Sequence, residues 1–215
     1  MSAASATDLA AIRLLVLTEG VHDVTAASDV LREAHRRGAS FALVVRAYDH
    51  PREERVAFAR AMRRELPRTL PVIVAGSPSE AREAHADGVH LGRGVASVTE
   101  ARALFGPDAW VSLPAHTPQD IAAAEREGAY AALVSPVLGV PAKGPPLGFS
   151  GLSCFLGSTN HPRVRAFALG GLTASDVGPC LRAGADGVAV IRAVWRAKDP
   201  AAALAELAAA VARAV

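Results

Sequence analysis

The sequence predicts an α/β chain folded as a short (β/α)8 TIM barrel, a single domain over residues 1–215. Three observations predict it. Eight short apolar runs rich in β-branched residues alternate with amphipathic Ala/Arg/Glu segments. The runs are near-continuous in hydrophobicity, as strands buried on both faces are. A small-residue signature recurs where helices give way to strands: Gly38-Ala39-Ser40-Phe41, His85-Ala86-Asp87-Gly88, Gly128-Ala129-Tyr130-Ala131 and Gly184-Ala185-Asp186-Gly187. A small residue closing a helix just before a buried strand suits a short αβ loop. Eight such units in 215 residues fit a barrel at the short end of its range. An open doubly wound sheet is the alternative, and it rarely needs eight parallel strands in so short a chain.

The elements follow in order. Residues 1–11 read as a short flexible or helical extension; they lack a basic n-region and carry Asp8, unlike a signal peptide. Strands are expected at 13–18, 41–46, 71–75, 88–91, 109–112, 129–134, 164–169 and 187–191. Phe58, Ala61, Met62 and Leu66 recur at helical spacing, with Arg60 and Arg64 on the other side. Thr117 caps an expected helix over 118–127, and Thr173 one running through Leu181. Residues 200–215 are an Ala-rich helix former. No Gly/Ser/Pro-rich linker splits the chain.

Composition excludes several classes. With 51% hydrophobic and 20% charged residues, the chain is too apolar to be mostly disordered. Aromatic residues are only 5%, so Ala, Val and Leu must fill the core. A net charge of +2 is not the footprint of a nucleic-acid binder. No apolar run is long enough to span a membrane. Cys154 and Cys180 fall in helical segments and read as buried small apolar residues, and a cytoplasmic setting is expected. A homo-oligomer is compatible with all of this.

In a TIM barrel the site lies at the C-terminal ends of the strands. Gly170-Gly171 follows the seventh strand, and Arg192 follows the eighth. Loops there commonly build a phosphate site from backbone N–H groups; a plain βα turn is the bland alternative. Arg192 either contacts the anion or faces solvent. Arg46 ends the second strand, where an apolar run has no packing need for a cation, so a phosphate or carboxylate role is expected. His90 is either an acid/base or a hydrogen-bonded core residue, and His116 stands nearer the mouth as a ligand or acid/base residue. Lys143 lies in a long Pro/Gly-rich loop, either closing over an anion or solvated. Only Glu19 and Asp49 are acids at strand ends, and no His/Cys cluster has zinc spacing, so no metal site is expected. His22, His35, His85 and His161 read as surface or helix residues.

These residues carry a resemblance. Ala86-Asp87-Gly88-Val89-His90-Leu91-Gly92, Ser135-Pro136-Val137 with Lys143 and Pro146-Leu147-Gly148, Gly170-Gly171-Leu172-Thr173, and Ala183 through Val190 occur in that order. In them the chain resembles the thiamine phosphate synthase/TenI superfamily of barrels over nearly its whole length. The resemblance implies thiamine biosynthesis and binding of a thiazole phosphate through Arg46, Ser135, Lys143, Gly170, Gly171 and Arg192. The chain also departs from the synthase pattern. Gln-x-Arg-x-Lys for the pyrophosphate reads Val44, Arg46 and Tyr48. The family's magnesium acids are replaced by Ala75 and Gly76, and are missing from Arg93-Gly94-Val95. Thr-x-Thr-Lys reads Val140-Pro141-Ala142-Lys143, and the Ser of Ser-Thr-His is Pro114.

TenI-type thiazole tautomerases also lack those acids, although their His after the sixth strand corresponds to Ser135-Pro136 here. The leading expectation is therefore a cofactor-free tautomerase with His116, or else His90, shuttling the proton. One alternative is a Mg²⁺-dependent synthase with relocated ligands such as Glu19 and Asp49. The other is a non-catalytic phosphate-binding paralogue.

Overall fold

A computed structural model of the chain describes residues 9–92, 94–140, 144–159 and 163–214. Eight parallel strands close into a barrel in chain order: β1 (Leu14–Leu17), β2 (Ala42–Val45), β3 (Val72–Gly76), β4 (Gly88–Leu91), β5 (Trp110–Ala115), β6 (Ala131–Val134), β7 (Arg165–Leu169) and β8 (Gly187–Val190). The last strand closes on the first with Val16 opposite Val190. This is the single-domain (β/α)8 barrel that the alternating runs predict. The helices form the outer layer: α1 (Val24–Arg36), α2 (Arg52–Glu65), α3 (Pro78–Glu83), α4 (Val98–Phe105), α5 (Pro118–Glu127), α6 (Gly148–Gly157) and α7 (Val177–Arg182). A short α8 (Arg192–Trp195) precedes α9 (Pro200–Ala214), which packs on α1, α7 and α8. No helix is long and apolar enough to cross a membrane among the described residues.

Side chains alternate along a strand, so every second residue points into the barrel. Leu15, Leu17, Val44, Ile73, Leu133, Phe167 and Leu169 form one interior cluster with Trp110. The other strand face packs on the helices with Leu14, Val16, Leu43, Val45 and Val89. Three aromatic residues meet in the barrel floor, where Trp110 lies 5.6 Å from Phe167 and 4.9 Å from Tyr130 between ring centroids. Glycine makes room for both. A Cβ at Gly88 would stand 2.3 Å from the Trp110 carbonyl oxygen, and one at Gly187 would stand 2.6 Å from the Phe167 ring. Arg165 seals the floor, donating to the carbonyls of Leu9 and Ile12 at 3.1 and 2.8 Å. The 3-10 turn Leu9–Ala11 is held there.

Three of the four copies of the small-residue signature share one contact. In three copies the amide after the small residue pairs with the preceding strand: Asp87 N–H to Val72 O, Tyr130 N–H to Val111 O, and Asp186 N–H to Ala166 O, at 2.7–2.8 Å. In two copies an aspartate also accepts from that strand's first turn. Asp87 Oδ2 takes the Val72 amide and Asp186 Oδ2 the Ala166 amide, each at 2.8 Å. In those two copies Ala-Asp-Gly is therefore a strand-start clamp.

Four expectations change. The buried face of α2 is Val56, Ala59, Met62 and Arg63, with Phe58 and Ala61 only half-buried. Helical periodicity misplaces that face because it reads Arg63 as polar, whereas Arg63 is neutralised internally by Asp87 Oδ2 at 2.7 Å. Cys154 is exposed, on the side of α6 opposite Leu152, Phe155 and Leu156; Cys180 is buried, and burial pushes its thiol up to about 12. The segment after Thr173 opens as a 3-10 turn, Ala174–Asp176, before α7, because Asp176 Oδ2 accepts both the Thr173 amide and its hydroxyl. Strand β5 runs on to Ala115 rather than ending at Ser112. Pro114, which has no N–H to give, lies where pairing with β4 has stopped and pairing with β6 continues.

Candidate active site

Period-two alternation carries three candidate side chains inward at the C-terminal mouth. Arg46 follows Val44 by two, His90 follows Gly88, and Ser135 follows Leu133. His90 stands opposite Ala75 on one side and Ser112 on the other. His116 lies just past β5, exposed, with its amide donating to Asp120 Oδ2 at 2.8 Å. Two adjoining cavities collect these groups. One, of about 240 Å³, is walled by Arg46, Tyr48, His90, His116 and Ser135. The other, of about 400 Å³, is walled by Glu19, Arg46, Gly170, Gly171, Thr173 and Arg192. They share Arg46 and Leu169. Lys143 lies outside the described residues. A cleft of about 490 Å³ beside α4 and α5 holds no histidine or cation among its described lining residues.

In the larger cavity the amides of Gly171, Arg192 and Ala193 have no protein acceptor among the described residues. They sit where barrels commonly bind phosphate, between the loop after β7 and a short extra helix. Arg192 makes no ion pair among the described residues. The glycine pair has a packing duty as well. Gly170 and Gly171 take φ of +117 and +69, and a Cβ at Gly170 would lie 3.0 Å from Pro136 Cα. A Cβ at Gly171 would lie 2.9 Å from Gly139 O. The loops after β6 and β7 are joined by Val137 N–H to Leu169 O and Leu138 N–H to Gly170 O, both 2.9 Å.

Arg46 is held by its backbone: its amide donates to Thr18 Oγ1 at 2.9 Å, and the Thr18 hydroxyl donates to its carbonyl at 3.3 Å. Its guanidinium lies 3.4 Å from Glu19 and 5.1 Å from the Tyr48 ring centroid. Its buried Nε has no hydrogen-bond partner among the described residues. Sequence reasoning registered Tyr48 only as a missing lysine; it walls the smaller cavity and stacks on Arg46.

The two histidines differ. His116 Nδ1 lies 2.8 Å from the Ser135 carbonyl. A carbonyl only accepts, so Nδ1 carries the proton, and in the neutral ring Nε2 keeps its lone pair. Ser135 Oγ is 3.4 Å from the same Nδ1. His90 is buried, with Nδ1 3.0 Å from Ser112 Oγ, which also accepts from Trp110 Nε1 at 3.1 Å. Burial, and after it the Arg46 cation, lowers His90 from 6.5 to about 4. The folded ring is thus neutral above about pH 4, while the unfolded ring gains a proton below 6.5. In that window the unfolded chain binds more protons. His90 therefore makes stability fall as pH drops from 6.5 towards 4, by up to about 3 kcal/mol. Melting temperature against pH is expected to flatten in this window for His90→Gln; an unchanged slope would assign it to other groups.

The carboxylates of the mouth do not converge. Ala75 carries a methyl group, and a Cβ at Gly76 would meet Glu80 Oε2 at 2.5 Å. Glu80 is already engaged by Arg55, by the Ser77 amide at 2.8 Å and by the Ser77 hydroxyl at 3.0 Å. Burial opposes its ionisation, but these bonds outweigh that and hold its carboxyl below the ordinary value. Glu19 faces Arg46, whereas Asp49 faces His22 at 3.6 Å. The two acids expected as relocated magnesium ligands are thus engaged separately.

Comparison with known proteins agrees with the resemblance. The family model described as thiamine monophosphate synthase matches residues 14–194. A thiamine-phosphate synthase of Roseiflexus castenholzii is 34% identical over 182 residues, 81% of this chain and 77% of that protein. One of Anaeromyxobacter dehalogenans is 35% identical over 197 residues, 89% of this chain and 87% of that one. In fold, the chain is similar to a thiamine phosphate pyrophosphorylase from Pyrococcus furiosus. The TM-score is 0.79 at 24% identity, covering 95% of this chain and 97% of that one. The barrel, the ordered motifs and these matches place the chain in the thiamine monophosphate synthase family.

Proposed function

We propose that the two joined cavities bind a phosphorylated thiazole and that the chain serves in making thiamine phosphate. The observation that carries this is the sharing of Arg46 and Leu169 by an amide-lined cavity and a histidine-walled one. The phosphate occupies the first, facing the Gly171 amide, the amides that open α8, and Arg192. The ring extends past Arg46 toward Ser135, His90 and His116. Lys143 supplies a further cation from the loop after β6.

The names of the relatives support the synthase reaction, with a phosphorylated pyrimidine as second substrate. The thiazole nitrogen forms a bond to the pyrimidine's methylene carbon, the carbon–oxygen bond breaks, and diphosphate leaves with the electron pair. That departing charge must be met. The family resemblance implies magnesium, which supplies charge neutralisation where it is bound. The residues here do not fit it: Ala75 and Gly76 offer no carboxylate, and Glu80, Glu19 and Asp49 are each engaged elsewhere. The cations this chain itself offers to the diphosphate are Arg46, Arg192 and Lys143.

The tautomerase reading is favoured by a different observation, the free Nε2 lone pair that the His116–Ser135 contact leaves. Such a ring can take a proton from a carboxythiazole phosphate and return it at a second atom, without metal. One experiment separates the readings. The purified protein is given thiazole phosphate with the pyrimidine diphosphate, over a range of Mg²⁺, and separately the carboxythiazole phosphate. Accumulating thiamine phosphate supports the synthase. Tautomer conversion alone, lost by at least about 100-fold in His116→Ala, supports proton transfer. Thermal stabilisation by thiazole phosphate without turnover leaves a binding protein, and no calorimetric binding of it overturns the proposal.

A further inference from the structure

Three residues from two loops remote in sequence meet on the rim of the barrel mouth. His22 lies between β1 and α1; Asp49 and His50 lie between β2 and α2. His22 Nδ1 is 2.6 Å from His50 Nε2, although the residues are 28 apart in sequence. The rings pack edge to face with centroids 4.7 Å apart. His22 Nε2 lies 3.6 Å from Asp49 Oδ2. One ligand atom from each of the three can be chosen so that all lie within 4.8 Å of one another, the one such group among the described residues. Behind His50 stands a fourth residue: Glu54 Oε2 is 2.9 Å from His50 Nδ1.

The Glu54 contact sets the chemistry. A carboxylate that accepts from His50 Nδ1–H leaves the neutral ring's lone pair on Nε2, the atom aimed at His22. Carboxylate–histidine pairs of this kind orient metal-ligating rings and raise their basicity. We propose that His22, Asp49 and His50 bind one divalent transition ion of the zinc, cobalt or nickel class, with Glu54 as the positioning residue. Two imidazole nitrogens and one carboxylate oxygen suit such ions; magnesium prefers an all-oxygen shell. Tetrahedral zinc, with bonds near 2.1 Å, holds two nitrogens about 3.3 Å apart, so the rings must part by less than about 1 Å from the 2.6 Å seen. Both can do so. The His22 and Asp49 side chains are 53% and 54% exposed, which also leaves the remaining coordination positions to water or a ligand. The site is separate from the synthase family's metal positions after β3 and β4. It flanks the proposed binding cavities: Glu19 lines one three residues before His22, and Tyr48 lines the other just before Asp49.

The test uses the tag-free, chelator-stripped full chain and Zn²⁺ or Co²⁺ alone. Equilibrium dialysis is expected to give one bound ion per chain at micromolar free metal. Cobalt is expected to give visible d–d bands of a nitrogen-ligated, low-coordinate site. Uptake and bands are lost in His22→Ala and His50→Ala, with folding checked by circular dichroism, and affinity falls about 10–100-fold in Glu54→Gln. Absent uptake, an adventitious ion retained by both histidine variants, or all-oxygen cobalt spectra in the unmutated chain would each overturn the proposal.

Discussion

Replacing Arg46 with alanine is expected to weaken binding of thiazole phosphate by about 10–150-fold, the loss of a charged hydrogen-bond donor worth about 1.5–3 kcal/mol. Among the described residues Arg46 is the one charged side chain that lines both cavities, and its buried Nε has no hydrogen-bond partner there. The backbone around it is set independently by Thr18, so the variant is expected to fold. Arg46→Lys keeps the charge and loses the planar fork, so it recovers only part of the affinity. Glu19→Gln acts in the opposite direction. It removes the anion 3.4 Å from the guanidinium, and phosphate affinity is expected to rise a few-fold. Isothermal titration of the three variants checks this; unchanged affinity in Arg46→Ala would remove Arg46 from the binding site.

Arg63→Ala is expected to cost about 2–3 kcal/mol, less than breaking a fully buried ion pair, because the Asp87 side chain left behind is 35% exposed to water. Arg63 is only 2% exposed. It donates to the carbonyls of Leu66, Pro67 and Leu70 at 2.7–2.9 Å and to Asp87 Oδ2 at 2.7 Å. Asp87 in turn clamps the start of β3. The substitution strands one carboxylate and three carbonyls, and joins the end of α2 to β3 and β4 less tightly. For a chain of 215 residues the melting temperature should fall by about 4–12 °C. Adding Asp87→Asn is expected to recover part of the loss, because the amide oxygen still accepts from Val72 without leaving a charge. A loss below about 1 kcal/mol, an ordinary surface effect, would show that the pair is not part of the chain's stability.

Much of the barrel was legible because both of its periods are local. Near-continuous apolar runs mark strands buried on two faces, and the small-residue turns mark where four of the helices end. The ends of those runs named Arg46 and His90 as candidates, and the resemblance named Ser135; the alternation that turns all three inward shows in the closed barrel. Legibility failed where a partner distant in the chain reverses a residue's apparent character. Arg63 looks like a solvated charge until Asp87 and three carbonyls surround it. Cys154 looks like core filling until α6 turns it outward. Ser112 and Trp110 carry no catalytic signal, yet they hold the ring of His90.

The sequence by itself determined the fold class, the family pattern and which strand ends to inspect, since the succession of strands and helices is written along the covalent chain. Only the tertiary structure decided how the residues there are paired. It set Glu19 against Arg46, turned His116 Nδ1 to the Ser135 carbonyl, zipped Gly170 to the loop after β6, and brought His22 to His50. Loop ends that are remote in sequence meet only when the barrel closes. Coulomb and hydrogen-bond energies act over a few ångströms of space, so contacts of this kind have no local sequence period to announce them.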